Sequence, residues 1–191
     1  MLNKIICIVG MAGAGKSLVA DELVKQGFEY LRFGQITLDE VKKRGIEANP
    51  QELQKLFTQD RKEHLEKLII PALKAGKTVI SDRYFFSTFA YGVSDGLDLD
   101  ELIKMNDNFL LPDLTFVLKV SPKVCIERIK KRGGEIKLFE KKEKLEKVWQ
   151  IYEIVPNKFE NVNMIEGEKT KEEVFSQIKE VVLSKILNIK I

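Results

Sequence analysis

Gly10-Met-Ala-Gly-Ala-Gly15-Lys16-Ser17 is the stretch of sequence that decides the fold. Its spacing is G-x-x-x-x-G-K-S, and the glycines let the backbone curl tightly and aim several N–H groups at one point. The lysine adds a cation for a terminal phosphate, and the serine hydroxyl can ligate Mg²⁺. The pattern therefore predicts a polyphosphate site. Its predicted members are Gly10, Gly13, Ala14, Gly15, Lys16, Ser17 and Leu18.

The residues on either side of this loop support the motif. Residues 5–9 form an unbroken apolar run of strand length, as expected for a strand that is buried on both faces. After the loop, Val19 and Leu23 fall on one helical face, and Gly27 ends the helix. A strand, a glycine-rich loop and a helix N-terminus together predict binding of ATP or GTP.

Composition excludes several classes of protein. The net charge of +3 is mild and its charges are interspersed, which does not favour a nucleic-acid partner. No stretch approaches the roughly 20 apolar residues of a membrane span, and the apolar run before the loop is too short for a secretory signal. Cys7 and Cys125 lack metal-ligand spacing, so we expect reduced core thiols. We expect a soluble cytoplasmic protein without nucleic-acid or membrane partners.

Strand-like runs alternate with helical patterns along the rest of the chain. The predicted strands are 5–9, 28–31, 78–81, 114–120 and 162–165. This alternation predicts an α/β fold with a five-stranded parallel sheet covered by helices on both faces, the three-layer sandwich of P-loop NTPases. We expect one domain over residues 1–191, with a flexible lid near 131–142.

Two helices are predicted between the second and third strands. Thr37 can cap a helix that runs to about Arg44. Asn49-Pro50 opens a longer helix, which Pro71 is expected to kink and Gly76 to end. Asp82-Arg83-Tyr84 follows the third strand, and ligands of open parallel sheets bind at that edge. Asp82 and Arg83 should therefore lie near the glycine loop, although a structural ion pair is the alternative reading.

Four motifs are dispersed along the middle of the chain. They are Leu-Phe-x-x-x-Arg at 56–61, Pro-Ala-Leu-x-x-Gly at 71–76, Asp-Arg-Tyr-x-x-Ser-x-x-Ala-Tyr at 82–91 and Leu-Pro-Asp-Leu at 111–114. Together they resemble thymidylate kinases. The match runs in order over roughly residues 51–152. It implies a nucleotide kinase that transfers the γ-phosphoryl group of ATP to dTMP, with Mg²⁺ as cofactor. It also implies a homodimer.

The resemblance implies how the acceptor nucleotide is held. Phe57 corresponds to an aromatic residue that stacks on thymine, and Arg61 to one that hydrogen-bonds the carbonyl edge of the base. Their i, i+4 spacing places both on one helix face. Tyr91 corresponds to a ring against the deoxyribose, and Ser87 belongs to the same substrate motif. Arg32 resembles the arginine that grips the monophosphate.

The resemblance also implies the catalytic groups. Lys16, Asp82 and Arg83 would carry catalysis, with Asp82 near Mg²⁺ and Arg83 as a clamp between the donor and acceptor phosphates. Ser17 and Asp82 would hold the metal ion. Arg128 and Arg132, at the base of the predicted lid, are read either as an exposed basic helix end or as a phosphate clamp on the ATP side.

The sequence departs from the family pattern at four places. Residues 9 and 11–14 replace the glutamate that commonly precedes the family's loop and the acidic residue within it, and the Arg-Glu-Pro-Gly-Gly segment is missing. The short interval from Ser17 to Arg32 looks more like dephospho-coenzyme A kinases or archaeal adenylate kinases. In the lid, 137–140 reads Lys-Leu-Phe-Glu in place of Asp-Arg-Phe-Glu.

These departures leave alternatives open. One is a P-loop kinase with another acceptor, such as a different nucleoside monophosphate, a deoxynucleoside or dephospho-coenzyme A. Another is a nucleotide-binding protein that has lost catalysis. A GTP-dependent switch would need a guanine-reading Asn-Lys-x-Asp motif, which the sequence lacks.

Overall fold

The computed structural model describes residues 4–32, 49–133 and 141–186, apart from the side chain of Arg32. The helix predicted at 37–44 and most of the lid predicted near 131–142 lie outside these residues. The interpretation of residues 1–191 as one domain stays a prediction.

Five parallel strands form the centre of the fold, and this prediction is confirmed. They are β1 Ile5–Val9, β2 Glu29–Arg32, β3 Val79–Asp82, β4 Leu114–Lys119 and β5 Val162–Glu166. Their order across the sheet is β2-β3-β1-β4-β5. All five residues of β1 are buried, because helices cover both faces of the central strand.

The strand order determines where a ligand can bind. The chain leaves β1 for neighbours on one side, β3 and β2, and later adds β4 and β5 on the other. The crevice beyond the carboxyl end of β1 therefore lies at the topological switch point, which is the usual ligand site of open parallel sheets. Residues 10–15 follow β1 directly at this position.

The described residues contain eight α-helices. They are α1 Lys16–Lys25, α2 Pro50–His64, α3 Ile70–Lys74, α4 Phe85–Ser94, α5 Leu99–Lys104, α6 Pro122–Arg132, α7 Lys142–Ile154 and α8 Lys171–Lys185. Asn49, Asp98, Ser121 and Thr170 cap α2, α5, α6 and α8 through their side chains. Helix α1 contacts α8, whereas α4 contacts α2, α5 and α7.

The helix predicted from Asn49 to Gly76 is interrupted rather than simply kinked. Residues Leu65–Ile69 form a π-helical turn between α2 and α3, in which the Ile70 N–H donates to the Leu65 carbonyl. Pro71 explains the break, since it has no N–H to donate and its ring would clash with the carbonyl four residues earlier in a regular α-helix.

Helix α4 lies at the centre of the molecule. Its residues from Phe85 to Gly92 are all buried, and Phe85, Phe86 and Phe89 pack against one another with ring centroids 4.7–5.9 Å apart. Phe159 closes this cluster from the other side, 5.1 Å from Phe86. Because Asp82 and Arg83 immediately precede this rigid helix, its packing determines the direction in which they project.

The two cysteines are free and buried, as predicted. Burial raises the pKa of both thiols, that of Cys125 to about 11, so neither is a thiolate at neutral pH. In the described part of the chain, no helix is long and apolar enough to span a membrane.

Replacing Gly13 by alanine tests how tightly the glycine loop packs on α6. Gly13 has φ +83°, and an added Cβ would lie 2.5 Å from the Cys125 carbonyl oxygen. We expect Gly13→Ala to lower the free energy of unfolding by about 3 kcal/mol or more, because steric overlap adds to backbone strain. Gly27→Ala is the matched control, since Gly27 has a similar φ but open space around it. The control should lose about 1–2 kcal/mol. Equal losses in denaturant unfolding would contradict the packing argument.

Candidate active site

One cavity of about 680 Å³ lies beyond the carboxyl edge of the sheet. Its walls come from the glycine loop, α1, α2, α4, α6 and α8, and from the segment that connects β5 to α8. Its lining residues fall into two groups, which we call its two ends. One group comes from α6, the β5–α8 connection and α8, and the other comes from α2 and α4. The size is typical of small-molecule sites.

The glycine loop forms part of the cavity wall. Ala12 to Val19 all line it, which includes the predicted members Gly13, Ala14, Gly15, Lys16, Ser17 and Leu18. Gly10, Gly13 and Gly15 have φ of +147°, +83° and +97°, values that only glycine adopts readily. Gly10 is the exception to the predicted contacts, because it does not line the cavity and contributes the backbone turn instead.

Lys16 lies inside this loop. Its Nζ donates to the carbonyl oxygens of Gly10 at 3.1 Å and Met11 at 2.9 Å, and the side chain is buried. Ser17 is exposed in the first turn of α1, where the helix dipole favours an anion. An empty space surrounds the position where a Cβ on Gly15 would lie. The loop can therefore admit a phosphate group close to its backbone.

Asp82 is an acidic group with an unused oxygen. Its Oδ2 accepts a hydrogen bond from the Tyr30 hydroxyl at 3.0 Å, whereas its buried Oδ1 has no hydrogen-bond partner among the described residues. No cluster of three or more His, Cys, Asp or Glu residues that could hold a metal occurs in that part of the chain. Mg²⁺ commonly uses only one or two protein ligands, so the Asp82 carboxylate and the Ser17 hydroxyl, which both line the cavity, are suitable ligands for this ion.

Arg83 has the only positive φ of a non-glycine residue among those described, at +71°. Such a conformation costs about 1–3 kcal/mol and persists only where surrounding contacts enforce it. Two contacts do so here. The Arg83 N–H donates to the Ile8 carbonyl at 2.9 Å, and the Ser81 hydroxyl donates to the Arg83 carbonyl at 2.7 Å. The Arg83 side chain lines the cavity at the end of β3.

Tyr91 connects Arg83 to the glycine loop. The Arg83 guanidinium carbon lies 5.5 Å from the centre of the Tyr91 ring, and the Tyr91 hydroxyl accepts a hydrogen bond from the Ala12 N–H at 3.3 Å. Burial opposes the charge of Arg83, but Tyr91, Tyr152 and Asp82 outweigh it and raise the pKa of the guanidinium. Arg83 is therefore a permanent cation in the cavity wall.

Ser87 forms a hydrogen bond with α7, the helix that follows the predicted lid. Its hydroxyl lies 3.0 Å from the hydroxyl of Tyr152 on α7, and Ser87 itself lines the cavity. Burial raises the pKa of the Tyr152 phenol, so this group stays a neutral hydrogen-bonding partner.

The α2–α4 end of the cavity has an aromatic wall. Phe57 on α2 is half-buried and lines the cavity, as the stacking role requires. Arg61 differs from the prediction that it contacts a ligand directly. It is fully buried, does not line the cavity, and donates to Asn106 Oδ1 and, at 2.7 Å, to Thr88 Oγ1. Thr88, which lines the cavity, therefore links Arg61 to the cavity wall through a hydrogen bond.

Arg61 keeps its charge in this buried position. Burial lowers the pKa of the guanidinium to about 10, which is still well above neutral pH. The rings of Tyr84 and Phe109 lie 5.5 Å and 5.4 Å from its central carbon, so aromatic faces replace part of the lost hydration. Arg61 reaches the cavity through its hydrogen bond to Thr88.

Both arginines at the end of α6 line the opposite end of the cavity. Arg128 donates to the carbonyls of Ala14 at 3.4 Å and Gly167 at 3.1 Å, and so joins the glycine loop to the β5–α8 connection. Arg132 lines the same wall. Arg128 is therefore not simply part of an exposed basic helix end, which was one of the two interpretations of this segment.

Sequence reasoning missed several residues of the cavity wall. They are Gln54, Thr88, Gly167, Lys169, Lys171 and Phe175. Gly167 and Lys169 follow β5 at the carboxyl edge of the sheet, so the rule that identified Asp82 applies to them as well. The side chain of Arg32 lies outside the described part, but its backbone pairs with Asp82 in the β2–β3 register.

The fold and this site define a P-loop nucleotide-binding protein, in which a glycine loop at the switch point of a parallel sheet opens into a two-ended cavity lined with cations. Comparison with known proteins gives the family. The family model for thymidylate kinase matches residues 8–178, and the chain belongs to the thymidylate kinase family.

Individual relatives are similar in sequence to this chain over most of its length. A probable thymidylate kinase of Archaeoglobus fulgidus is 33% identical, with 97% of each chain covered. The thymidylate kinase of Leptospira interrogans is 34% identical, over 97% of this chain and 98% of the relative. That of Mesoplasma florum is 37% identical over 95% of each chain. The resemblance noted between residues 51 and 152 thus extends to the N-terminal third.

Removing the Ser81 hydroxyl tests whether it positions Arg83. We expect Ser81→Ala to lower kcat by about 10- to 100-fold, because a displacement of catalytic groups by about 1 Å has effects of that size. Turnover would be measured by coupled ADP release, alongside thermal unfolding. Ser184→Ala is the control, since Ser184 also donates to a main-chain carbonyl but on an exposed helix face. A lower melting temperature with unchanged kcat would show that Ser81 only stabilises the fold.

Proposed function

We propose that this protein is a thymidylate kinase, which transfers the γ-phosphoryl group of ATP to dTMP and forms ADP and dTDP. The observation that carries the proposal is the position of Arg83. Its guanidinium lies over the ring of Tyr91, and the Tyr91 hydroxyl accepts a hydrogen bond from the Ala12 N–H in the glycine loop. Arg83 lines the same cavity as Phe57. One cavity thus joins a triphosphate loop to an aromatic wall suited to a base, with a cation between them.

The chemistry demands positioning and charge stabilisation more than acid–base catalysis. An oxygen of the acceptor phosphate attacks the γ-phosphorus, and the bond from that phosphorus to the bridging oxygen breaks, leaving its electron pair on ADP. The attacking oxygen is already anionic, so no strong base is required. The obstacle is the repulsion between two polyanions. Lys16 would hold the donor phosphates and Arg83 would contact both donor and acceptor, which lowers this repulsion in the transition state.

The donor nucleotide would occupy the end of the cavity formed by α6 and the β5–α8 connection. Arg128 and Arg132 supply cations there, and Lys169, Lys171 and Phe175 complete the wall. Mg²⁺, held by Ser17 and Asp82, would neutralise phosphate charge when bound. The unused Oδ1 of Asp82 supports this assignment, because a buried carboxylate oxygen without a partner is unfavourable unless a ligand satisfies it.

The acceptor nucleotide would occupy the end between α2 and α4. Phe57 would stack on the base. Thr88, whose hydroxyl oxygen accepts a hydrogen bond from Arg61, would contact the edge of the base. Tyr91 and Ser87 would face the sugar. Arg32 is proposed to grip the monophosphate, which its place beside Asp82 in the strand register supports. The segment near 131–142 is proposed to close over the phosphates and exclude water.

We also propose that the enzyme is a cytoplasmic homodimer. Leu110 and Leu111 are 46% and 52% exposed, which supports a contact between subunits. Light scattering at micromolar concentration tests this part of the proposal, and a monomer would contradict it.

An acceptor panel tests the activity itself. ADP formation from Mg-ATP would be measured with dTMP, dUMP, dCMP, AMP, thymidine and dephospho-coenzyme A supplied separately. We expect strong stimulation by dTMP and weak stimulation by dCMP. Stimulation by another acceptor alone would retain the phosphate chemistry and reject the thymine assignment. ATP binding without turnover would indicate a protein that has lost catalysis.

Lys16→Ala and Arg83→Ala test the catalytic assignment. Each should lower kcat at least about 100-fold, by comparison with the loss of other transition-state charge stabilisers. Lys77→Ala is the control, because Lys77 is an exposed lysine paired with Glu29, and its turnover should equal that of the wild type. Near-normal turnover in both cavity variants would reject the assignment.

A further inference from the structure

Gln54 is a buried polar residue in the cavity wall to which the mechanism above assigns no role. It lies on α2, three residues before Phe57, so the two side chains share one helix face. The side chain is 2% exposed and lines the cavity. Its Oε1 has no hydrogen-bond partner among the described residues. Since a buried amide oxygen without a partner is destabilising, a ligand donor is the natural way to satisfy it.

The structure makes room for this amide on α4. A Cβ on Gly92 would lie 3.3 Å from Gln54 Nε2, so the glycine allows the amide to approach the helix backbone closely. Gly92 is one helical turn after Thr88. Gln54 therefore lies at the α2–α4 end of the cavity, together with the aromatic wall.

Thr88 supplies the complementary hydrogen-bonding group. Arg61 Nη2 donates to Thr88 Oγ1 at 2.7 Å, and a guanidinium can only donate. The threonine oxygen is thus an acceptor in that bond, and its own proton is left to donate elsewhere. The Thr88 hydroxyl would present a donor to a ligand, whereas Gln54 Oε1 would present an acceptor.

We propose that Gln54 is a specificity-determining residue whose carboxamide oxygen accepts the N3–H of a keto pyrimidine, beside a Thr88 hydroxyl that donates to a ring carbonyl. The inference rests on the proposed function and names the group that reads the base. Cytosine has an acceptor at N3 and an amino donor beside it. That amino group replaces the C4 carbonyl and would face the Thr88 donor where Thr88 pairs with C4. Cytosine N3 would in turn face the Gln54 oxygen, so we expect dCMP to bind poorly.

The 3′-hydroxyl is the other hydrogen-bond donor of dTMP outside its phosphate. We assign Gln54 to the base because it projects from the same helix face as Phe57, one turn away. Two analogues separate these donors. N3-methyl-dTMP lacks the imide proton, and 3′-deoxy-dTMP lacks the hydroxyl.

Calorimetric titration of Gln54→Leu with dTMP tests the proposal. We expect the Kd to rise about tenfold, the effect of losing one hydrogen bond of ordinary strength. The melting temperature without nucleotide should stay equal or rise by about 2–4 °C, because the substitution removes an unsatisfied buried amide. A purely structural residue would show the opposite pattern, a lower melting temperature with unchanged Kd. Gln59→Leu, the same change at an exposed position of α2, should leave the Kd unchanged.

The analogues locate the contact. The ratio of the Kd of Gln54→Leu to that of the wild type should stay near tenfold for 3′-deoxy-dTMP and fall to about one for N3-methyl-dTMP. A ratio that falls only for 3′-deoxy-dTMP would overturn the assignment to the base, and a ratio near one for dTMP would overturn the role of Gln54. A wild-type protein without affinity for dTMP would reject the proposed function itself, which distinguishes the two failures.

Discussion

The glycine loop can form only because position 13 has no side chain. The backbone there lies so close to α6 that a Cβ would be 2.5 Å from the Cys125 carbonyl oxygen. Through this contact the loop packs against α6. Arg128, on the same helix, donates a hydrogen bond to the Ala14 carbonyl. A single backbone approach thus determines both the shape of the loop and the position of a cation beside it, and the donor end of the cavity follows from it.

The cations of the cavity are each held in place by a different set of groups. Lys16 is held by the carbonyls of Gly10 and Met11, Arg128 by those of Ala14 and Gly167, and Arg83 by the face of Tyr91. These carbonyl and ring partners are neutral and orient each cation without cancelling its charge, whereas Asp82 adds a negative charge near Arg83. Preorganised charge of this kind is what phosphoryl transfer needs. Asp82 and Gln54 complement it with buried oxygens that have no partner among the described residues, an arrangement that disfavours the unliganded protein and favours binding.

The sequence predicted the sheet and the loop well because both depend on local patterns. An apolar run five residues long can only be a strand buried on both faces when it leads into a glycine loop, and the five strands were predicted within about a residue of their bounds. Asp82 and Arg83 line the same cavity as the glycine loop, as expected for residues that follow a parallel strand. The π-helical turn before Pro71 was missed, because the sequence marks the break but not how the backbone adjusts to it.

The sequence by itself determined the fold class, the phosphate loop and the family, because each depends on residues near one another in the chain or on motifs in order. Only the tertiary structure decided what the individual side chains face. Arg61, predicted to touch the base, is buried behind Thr88, and Gln54, which no motif marked, lines the cavity. The physical reason is that the direction of a helical side chain depends on the packing of α2 against α4. That packing joins residues 27 positions apart, and no local pattern encodes it.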